Sequence, residues 1–287
     1  MAAQPPDRRV PTPLTEKPLL AWLIESLPES NRTRLKQLLR HGFVRVNGSP
    51  ITRHDHPIRP ADAVTISHTP QAPKSEVDLS ILHEDESLIV IDKPCGLLAV
   101  ATDLEKLDTA FARLAGRDAP RPFVVHRLDR DTSGLLLFAK NPDARDRLQQ
   151  NWNVVEKTYL AIVEGVPRPA EGTIENFLIE GSNLRVRVGR AGTEAKQAIT
   201  QYRVVGSHGS YSRVEVKLVT GRKHQIRVHL AGLGCPVIGD TDYGAKTNPA
   251  RRLGLHAWKL AFTHPLTGER LNLESPVPEA LSRIVRA

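Results

Sequence analysis

The chain has 287 residues, which exceeds the ~100–200 residues of a typical domain, so we expect one larger and one smaller domain. Its 40% hydrophobic and 25% charged residues are those of a globular protein, and no apolar run approaches the ~18 residues that a membrane-spanning helix needs. Forty Lys and Arg residues against 32 Asp and Glu residues give a net charge of +8, which favours a polyanionic partner.

The first residues, MAAQPPDRRVPTP, include proline and acidic residues and no apolar stretch, which argues against a secretory signal. The cytoplasm is therefore the expected location. The two cysteines, Cys95 and Cys235, are far apart and match no metal-binding spacing, so we expect neither a disulfide framework nor a metal site. The sequence has no coiled-coil heptad, and a monomer is the expected state.

Residues 14–70 are predicted to form a small α+β domain. Leucine and isoleucine recur at helical spacing between residues 19 and 27, and leucines do so again in RTRLKQLLRHG (32–42), so two helices are expected. The next segment, FVRVNGSPI, alternates apolar and polar residues around Asn47-Gly48. An Asn-Gly pair between such runs predicts a β-hairpin.

A cluster of cations marks this small domain. Seven Lys and Arg residues between positions 31 and 59 accompany a single acid, Asp55. The cluster is either a solvated basic face or a phosphate-binding surface. The order of helix, basic helix, Gly, strand, Asn-Gly and strand resembles the small RNA-binding domain named after the fourth protein of the small ribosomal subunit. The resemblance implies phosphate contacts by Arg32, Arg34, Lys36, Arg40 and Arg45.

The remainder of the chain is predicted to be one larger domain, 80–287, after a linker at 71–79 that is polar and lacks periodicity. Short apolar segments predict strands at 88–92, 134–140, 158–165, 198–205 and 213–219. Helical patterns lie around 104–115, 143–151 and 276–286. This composition of elements predicts an α+β fold with a mixed, mostly antiparallel sheet and flanking helices.

One stretch of this domain, VVHRLDRDTSGLLLFAK (124–140), sets a carboxylate between two apolar runs. Asp129 is a candidate catalytic residue, although a lone Asp at a strand end is often a turn former or an ion-pair partner. A catalytic pair with Asp131, as in glycosidases, requires a regular strand, which the DTSG turn disfavours. Motifs for nucleotide, serine or zinc hydrolysis are not found, and His224 and His229 lack metal-ligand spacing.

Four ordered motifs resemble those of the RluA-type RNA pseudouridine synthases. HRLDRDTSGLLLFAK resembles the central motif of that family, and ILHEDESLIVIDKPCGLL (81–98) resembles its opening motif. EKTYLAIVEG (156–165) resembles the tyrosine strand, and the closing motifs are TGRKHQIRVHLAGLGCPVIGDTDYG (220–244) and LHAWKLAFTHPLTGE (255–269). The resemblance covers about residues 80–285. Residues 99–108 depart from the family pattern, which has a Val-His-Pro stretch there.

The resemblance implies an isomerase that converts uridine to pseudouridine in structured RNA without a cofactor. It assigns Asp129 as the catalytic carboxylate, Arg227 as its ion-pair partner and Tyr159 as a contact of the uracil that assists proton removal. Leu255 is expected to pack against the base. The other expected RNA-facing residues are Arg127, which enters the space of the flipped base, His126, which shapes the loop, and the phosphate contacts Arg222 and His224.

Ribosomal RNA is the favoured substrate, and transfer RNA is the alternative. Arg127 and Arg130, on either side of Asp129, are interpreted as serving RNA rather than the fold. Two other functions stay open at this point. A non-catalytic RNA binder would have no need for Asp129, Tyr159 and Arg227 together, and a nucleoside glycosidase would release the base.

Overall fold

The computed structural model describes residues 8–11, 13–40, 42–67, 79–102, 108–117, 121–181 and 185–285. The chain divides into two compact units, Met1–Asp78 with Val100–Arg113, and Leu79–Ala99 with Leu114–Ala287. Three predicted features lie outside the described residues: the linker up to residue 78, residues 103–107 of the segment that departs from the family pattern, and the Arg40 side chain. The predicted domain limits, 14–70 and 80–287, stay predictions.

The smaller unit combines two short helices with short strands. These elements are β1 (Arg8–Arg9), β2 (Lys17–Pro18), α1 (Leu19–Ser26), α2 (Arg32–Arg40), β3 (Val44–Val46), β4 (Ser49–Pro50), β5 (Pro57–Ile58) and β6 (Val64–Ile66). Strands β1, β6, β3 and β4 form one antiparallel sheet in that order, and β2 pairs with β5. Both predicted helices are confirmed.

The predicted hairpin is also confirmed, because Asn47 and Gly48 join β3 to β4. Their φ angles are 52° and 82°, the left-handed pair that a tight two-residue hairpin turn requires. The Asn47 amide donates to Asp62 at 2.8 Å, and its carbonyl oxygen accepts from the Ala63 N–H at 2.8 Å. The turn is therefore held to the two residues that precede β6.

Helix α2 has one apolar and one cationic face. Leu35 and Leu39 are buried in the same core as α1, whereas Arg32, Arg34 and Lys36 are exposed. The Asn31 side chain accepts from the Arg34 N–H at 2.8 Å and so caps the helix. Burial of the leucine stripe fixes the orientation of the helix, and the cations remain in solvent.

The chain continues with β7 (Ser80–Glu84), β8 (Leu88–Lys93), α3 (Ala110–Ala115), β9 (Phe123–Val124), β10 (Ser133–Ala139), α4 (Pro142–Gln150), β11 (Glu156–Glu164), β12 (Glu171–Glu180), β13 (Val186–Gly189), β14 (Lys196–His208), β15 (Tyr211–Leu218), α5 (Gln225–Gly232), a 3₁₀ turn (Thr241–Tyr243), β16 (Leu255–Thr263), β17 (Arg270–Glu274) and α6 (Glu279–Ser282). The strands form one eleven-stranded sheet of order β13-β12-β14-β15-β11-β16-β10-β8-β7, with β17 beside β16 and β9 beside β10.

This sheet confirms the predicted α+β class with a mixed, mostly antiparallel sheet. The single parallel pairing among the described strands joins β10 to β16. The five predicted strands are found with ends shifted by a few residues, as is the helix predicted at 143–151. The prediction at 276–286 was too long, because Pro278 precedes a helix of four residues. No helix in the described part of the chain is long and apolar enough to cross a membrane.

Helix α5 was not predicted from the sequence. Its first six residues, 225–230, are all buried, so the segment QIRVHLAG shows no alternation of an apolar and a polar face. An amphipathic pattern is what reveals a surface helix in a sequence, and a fully packed helix lacks it.

Gly134 is the point where the parallel strands β10 and β16 approach each other. The two strands pair only through Ser133 with His256 and Gly134 with Ala257. Gly134 has φ 107°, and a Cβ atom there would lie 2.2 Å from the Ala257 carbonyl oxygen. Only glycine fits this backbone, and the close approach brings the loop before β10 next to the start of β16.

We expect Gly134→Ala to destabilise the fold by roughly 2–4 kcal/mol, since the added methyl group must displace backbone atoms. Chemical denaturation of the purified variant measures the change. Gly209→Ala is the matched control, because Gly209 also has a positive φ, 56°, but has no atom within 4 Å of the added Cβ. That variant should lose only about 1 kcal/mol. Equal losses in the two variants would contradict the steric argument.

Candidate active site

A cavity of about 530 Å³ opens in the larger unit. Its lining includes every site residue that the sequence predicts in this unit, namely His126, Arg127, Asp129, Tyr159, Arg222, His224, Arg227 and Leu255. These residues come from separate segments: the loop before β10, strand β11, the residues at and before the start of α5, and the first residue of β16. The five predicted cations of the N-terminal domain belong to the smaller unit.

The loop that carries Asp129 is held by a buried lysine. Lys93, at the end of β8, is fully buried, and its ammonium donates to the carbonyl oxygens of Pro94 at 2.9 Å, Leu97 at 2.7 Å and Arg130 at 2.9 Å. Burial lowers the pKa of Lys93 to about 8, so the ammonium persists at neutral pH. The contact with Arg130 fixes the residue that follows Asp129.

Arg130 strengthens the same connection. Its guanidinium Nε donates to the Gly96 carbonyl oxygen at 3.0 Å, and the Gly96 N–H donates to the Arg130 carbonyl oxygen at 3.0 Å. Arg130 thus ties the loop to the turn after β8 and serves the fold, contrary to the expectation that it serves RNA rather than the fold. Arg127 is exposed at the cavity.

Asp129 and Asp131 face different spaces. Asp129 is half-buried and lines the large cavity, whereas Asp131 is exposed and lines a second cavity of about 280 Å³ beside Cys95 and Arg252. A glycosidase-like pair needs both carboxyl groups on one substrate. Of the two carboxylates in this motif, Asp129 is therefore the one that lines the large cavity.

Arg227 is the cationic centre of the site. Its Nη1 lies 3.9 Å from Oδ2 of Asp129, within ion-pair range. Its shortest contacts are with Asp240, to which Nε and Nη2 each donate at 2.7 Å, and Nη2 also lies 3.2 Å from Asp242. Sequence reasoning missed both acids. They stand in the GDTDYG end of a closing motif, so the motif offered a means of finding them.

Tyr159 and Leu255 form apolar walls of the cavity. The pairing of β11 with β16 shifts register between Thr158 and Tyr159, because Thr158 faces Lys259 and Tyr159 faces Ala257. Such a bulge re-aims the side chains beside it. Burial, with a smaller effect of the Asp129 charge, raises the pKa of Tyr159 well above its usual value, so the phenol is neutral. Leu255 is buried at the start of β16.

His126 packs inside the loop. The Leu137 N–H donates to its Nε2 at 3.0 Å, and its ring stacks on Trp152 with 4.5 Å between centroids. Burial, with Lys157 nearby, lowers the pKa of His126 to about 3, so the imidazole is neutral. Trp152 and Lys157 also line the cavity, and sequence reasoning did not single them out.

The predicted phosphate contacts beside α5 differ in charge and in partners. Arg222 donates from Nε to the Gln197 carbonyl oxygen at 3.1 Å, and Lys223 pairs with Glu180. Burial lowers the pKa of His224 below its usual value, so this imidazole is neutral at pH 7 rather than a cation. Among the residues that the structure describes, no cluster of three His, Cys, Asp or Glu side chains could hold a metal ion.

Residues 87–232 match the model of the RNA pseudouridylate synthase family, and residues 17–64 match the S4 domain. The chain belongs to the RNA pseudouridine synthase family. The motif resemblance is thereby confirmed, as is the expected enzyme class. The cavity lies within the larger unit, and most of its lining falls inside the matched segment.

Relatives of the synthase extend this match over most of the chain. A Chlorobaculum parvum protein described as an uncharacterized RNA pseudouridine synthase is 36% identical, with 92% of this chain and 91% of the relative covered. Ribosomal large subunit pseudouridine synthase D of Vibrio cholerae is 33% identical, with 92% and 88% covered. The solved human RNA Pseudouridylate Synthase Domain Containing 1 has a TM-score of 0.60 and 29% identity, with 75% of this chain and 91% of that chain covered.

We expect Asp240→Asn to destabilise the synthase by about 3 kcal/mol, because it leaves the buried Arg227 guanidinium without its bidentate partner. Thermal and denaturant unfolding measure this loss. Asp242→Asn is the matched control: it removes a carboxylate from the same guanidinium, but the Asp242 side chain is 68% exposed. An exposed pair contributes less than about 1 kcal/mol. Equal destabilisation would show that Asp240 is not the main anchor.

Proposed function

We propose that this synthase isomerises uridines in ribosomal RNA and that Asp129 is the catalytic carboxylate. The observation that carries the proposal is the half-buried Asp129 carboxylate, which lines the cavity within 4 Å of Arg227 and shares that cavity with Tyr159 and Leu255. The names of two relatives, from Vibrio cholerae and Xanthomonas campestris, specify the large ribosomal subunit, which supports ribosomal RNA over transfer RNA.

The reaction makes limited demands on the protein. The bond between N1 of uracil and C1′ of ribose breaks, and a bond between C5 and C1′ forms; a proton leaves C5 and another is gained at N1. No electrons are exchanged, so no redox cofactor is required. An aspartate is ionised at neutral pH and can attack or deprotonate the sugar. The positive charge of Arg227 balances the negative charge of Asp129 while that carboxylate reacts with the substrate.

Tyr159 and Leu255 are proposed to hold the uracil ring while it is detached from the ribose. A free base must be kept in the cavity long enough to turn, and a flat phenol beside an apolar side chain on the neighbouring strand suits this task. Burial raises the pKa of Tyr159, so the phenol is protonated in the RNA-free protein. Contact with the base and assistance in removing the proton from C5 are both proposed for Tyr159.

The target base must leave the RNA stack to enter the cavity. We propose that the exposed Arg127 occupies the gap that the base leaves, and that His126 keeps the loop in shape. Phosphate contacts are proposed for Arg222 and, in the smaller unit, for Arg32, Arg34, Lys36, Arg40 and Arg45. The protein is proposed to act in the cytoplasm as a monomer.

The first test uses RNA that carries tritium at uracil C5. Wild-type protein should release tritium to water from ribosomal RNA, and Asp129→Asn should reduce the rate by more than about a thousandfold, because an amide cannot replace the carboxylate. Asp131→Asn is the matched control, since it neutralises a carboxylate two residues away that faces the other cavity.

Three outcomes would overturn parts of the proposal. Full activity of Asp129→Asn would remove Asp129 from the chemistry. Release from transfer RNA alone would exclude ribosomal RNA as the substrate. Release of free uracil would indicate a glycosidase. Circular dichroism of Asp129→Asn distinguishes loss of catalysis from loss of folding.

The cationic face of α2 generates a second test. Arg32→Glu/Lys36→Glu should weaken RNA binding at least about tenfold and reduce the slope of log affinity against log salt by roughly two, because two phosphate contacts are lost. Filter binding over a salt series measures both quantities. The control Arg147→Glu/Arg283→Glu changes net charge equally, at exposed arginines of the larger unit that pair with Asp143 and Glu279. An equal effect of the control would indicate that only net charge matters.

A further inference from the structure

His224 has an unusual backbone and a side chain that does not serve the helix it precedes. It stands at the N-cap of α5 with φ 54° and ψ 15°, in the left-handed region that residues other than glycine seldom adopt, and it makes no side-chain cap bond. Its Nδ1 lies 2.8 Å from the Tyr243 hydroxyl, and its Nε2 lies 3.8 Å from Oδ2 of Asp129. The strained backbone thus directs the imidazole to the site.

The neighbours of the imidazole determine which nitrogen carries the proton. The Val186 N–H donates to the Tyr243 hydroxyl oxygen at 3.1 Å. The Tyr243 O–H has no acceptor other than Nδ1 of His224 among the residues that the structure describes. A Tyr243 hydroxyl that donates to Nδ1 leaves the proton of the neutral imidazole on Nε2. The surroundings of Nε2 are consistent with this tautomer, because Nε2 faces the Asp129 carboxylate. An unprotonated Nε2 would direct its lone pair at that negative charge, which is unfavourable.

The contacts of Asp129 are asymmetric. Both His224 Nε2 and Arg227 Nη1 approach the same oxygen, Oδ2, at 3.8 and 3.9 Å. Oδ1 is left for the substrate. At these lengths neither contact is a formed hydrogen bond, and such contacts commonly shorten when the substrate binds.

We propose that His224 is a positioning residue for the isomerisation: it presents Nε2–H to Oδ2 of Asp129, and Tyr243 fixes the tautomer that makes this possible. The inference rests on the proposed role of Asp129. It also replaces the expected phosphate contact of His224 with a role inside the cavity.

The charges around His224 suit a neutral donor. Burial lowers its pKa most; Arg227 and Lys223 lower it further, while Asp129 and Asp240 raise it. Burial likewise raises the pKa of Tyr243, which remains a phenol and retains the proton that it donates. A neutral N–H donor adds no second positive charge beside Arg227.

The direct test reads the tautomer in the RNA-free protein. Long-range ¹H–¹⁵N spectra of histidine-labelled wild-type protein at pH 8 should show Nε2 protonated and Nδ1 bare for His224, assigned with His224→Asn. Tyr243→Phe removes the donor to Nδ1 and should shift the population toward the other tautomer. A protonated Nδ1 in the wild type, or an unchanged tautomer in Tyr243→Phe, would overturn the proposal. This readout does not depend on whether Asp129 is catalytic.

The kinetic test uses the dependence of the defect on pH. At pH 8 Tyr243→Phe should lower kcat by about 10–100-fold with little change in KM for RNA, as expected when a residue that orients a reacting group is lost. At pH values below the pKa of His224 the imidazolium carries protons on both nitrogens, so the defect should shrink. A merely structural role of Tyr243 would give a defect that does not vary with pH, and that result would contradict the proposal.

Two controls complete the kinetic test. Tyr202→Phe removes another largely buried phenol oxygen, one that donates to the Pro169 carbonyl at 3.1 Å outside the cavity lining, and it should leave the pH profile of kcat unchanged. His224→Asn tolerates the left-handed backbone and removes the imidazole. Adding Tyr243→Phe to His224→Asn should cost nothing further in kcat, because the two residues act through one contact. Additive losses would show that Tyr243 acts independently of His224.

Discussion

The buried ammonium of Lys93 is the interaction on which the geometry of the site depends. A charge removed from water costs several kcal/mol unless polar groups replace its hydration. Three carbonyl oxygens do so here, and they belong to two segments that are far apart in the sequence, the turn after β8 and the loop before β10. Because the ammonium needs both segments, the loop cannot move away without exposing an uncompensated charge. The position of Asp129 is thus fixed by a contact one residue away, which leaves its own carboxylate free for the proposed chemistry.

Different nitrogen atoms of Arg227 contact different carboxylates. Nε and Nη2 donate to Asp240, and Nη2 also donates to Asp242, so these two acids fix the orientation of the guanidinium plane. Nη1 is left to face Asp129 at a distance too long for a hydrogen bond. A guanidinium bound as tightly to Asp129 as to Asp240 would hold the carboxylate in the resting geometry. The looser contact supplies positive charge to the site and still allows the carboxylate to reach a substrate.

The sequence predicts those parts of the fold that depend on neighbouring residues alone. The Asn47-Gly48 turn and the leucine stripe of α2 follow from backbone preference and from helical spacing. Helix α5 could not be predicted this way, because burial of residues 225–230 removes the periodic pattern. The motifs identified Asp129, Tyr159, Arg227 and Leu255, which the fold then brings to one cavity. They did not indicate that Asp240 holds Arg227 or that Tyr243 binds His224, since those contacts depend on the three-dimensional path between α5 and β16.

Two histidines and one tyrosine of the cavity lining are uncharged at neutral pH. His126 and His224 have lowered pKa values and Tyr159 has a raised one. Asp129 and Arg227 are thus the charged pair at the cavity's reactive end, and their field is not opposed by an imidazolium or a phenolate. In the proposed mechanism such a field acts on a ribose that develops positive charge as its base departs. In the proposed complex the exposed cations of α2 add affinity for the polyanionic RNA to that of the cations in the cavity lining, such as Arg127 and Arg222.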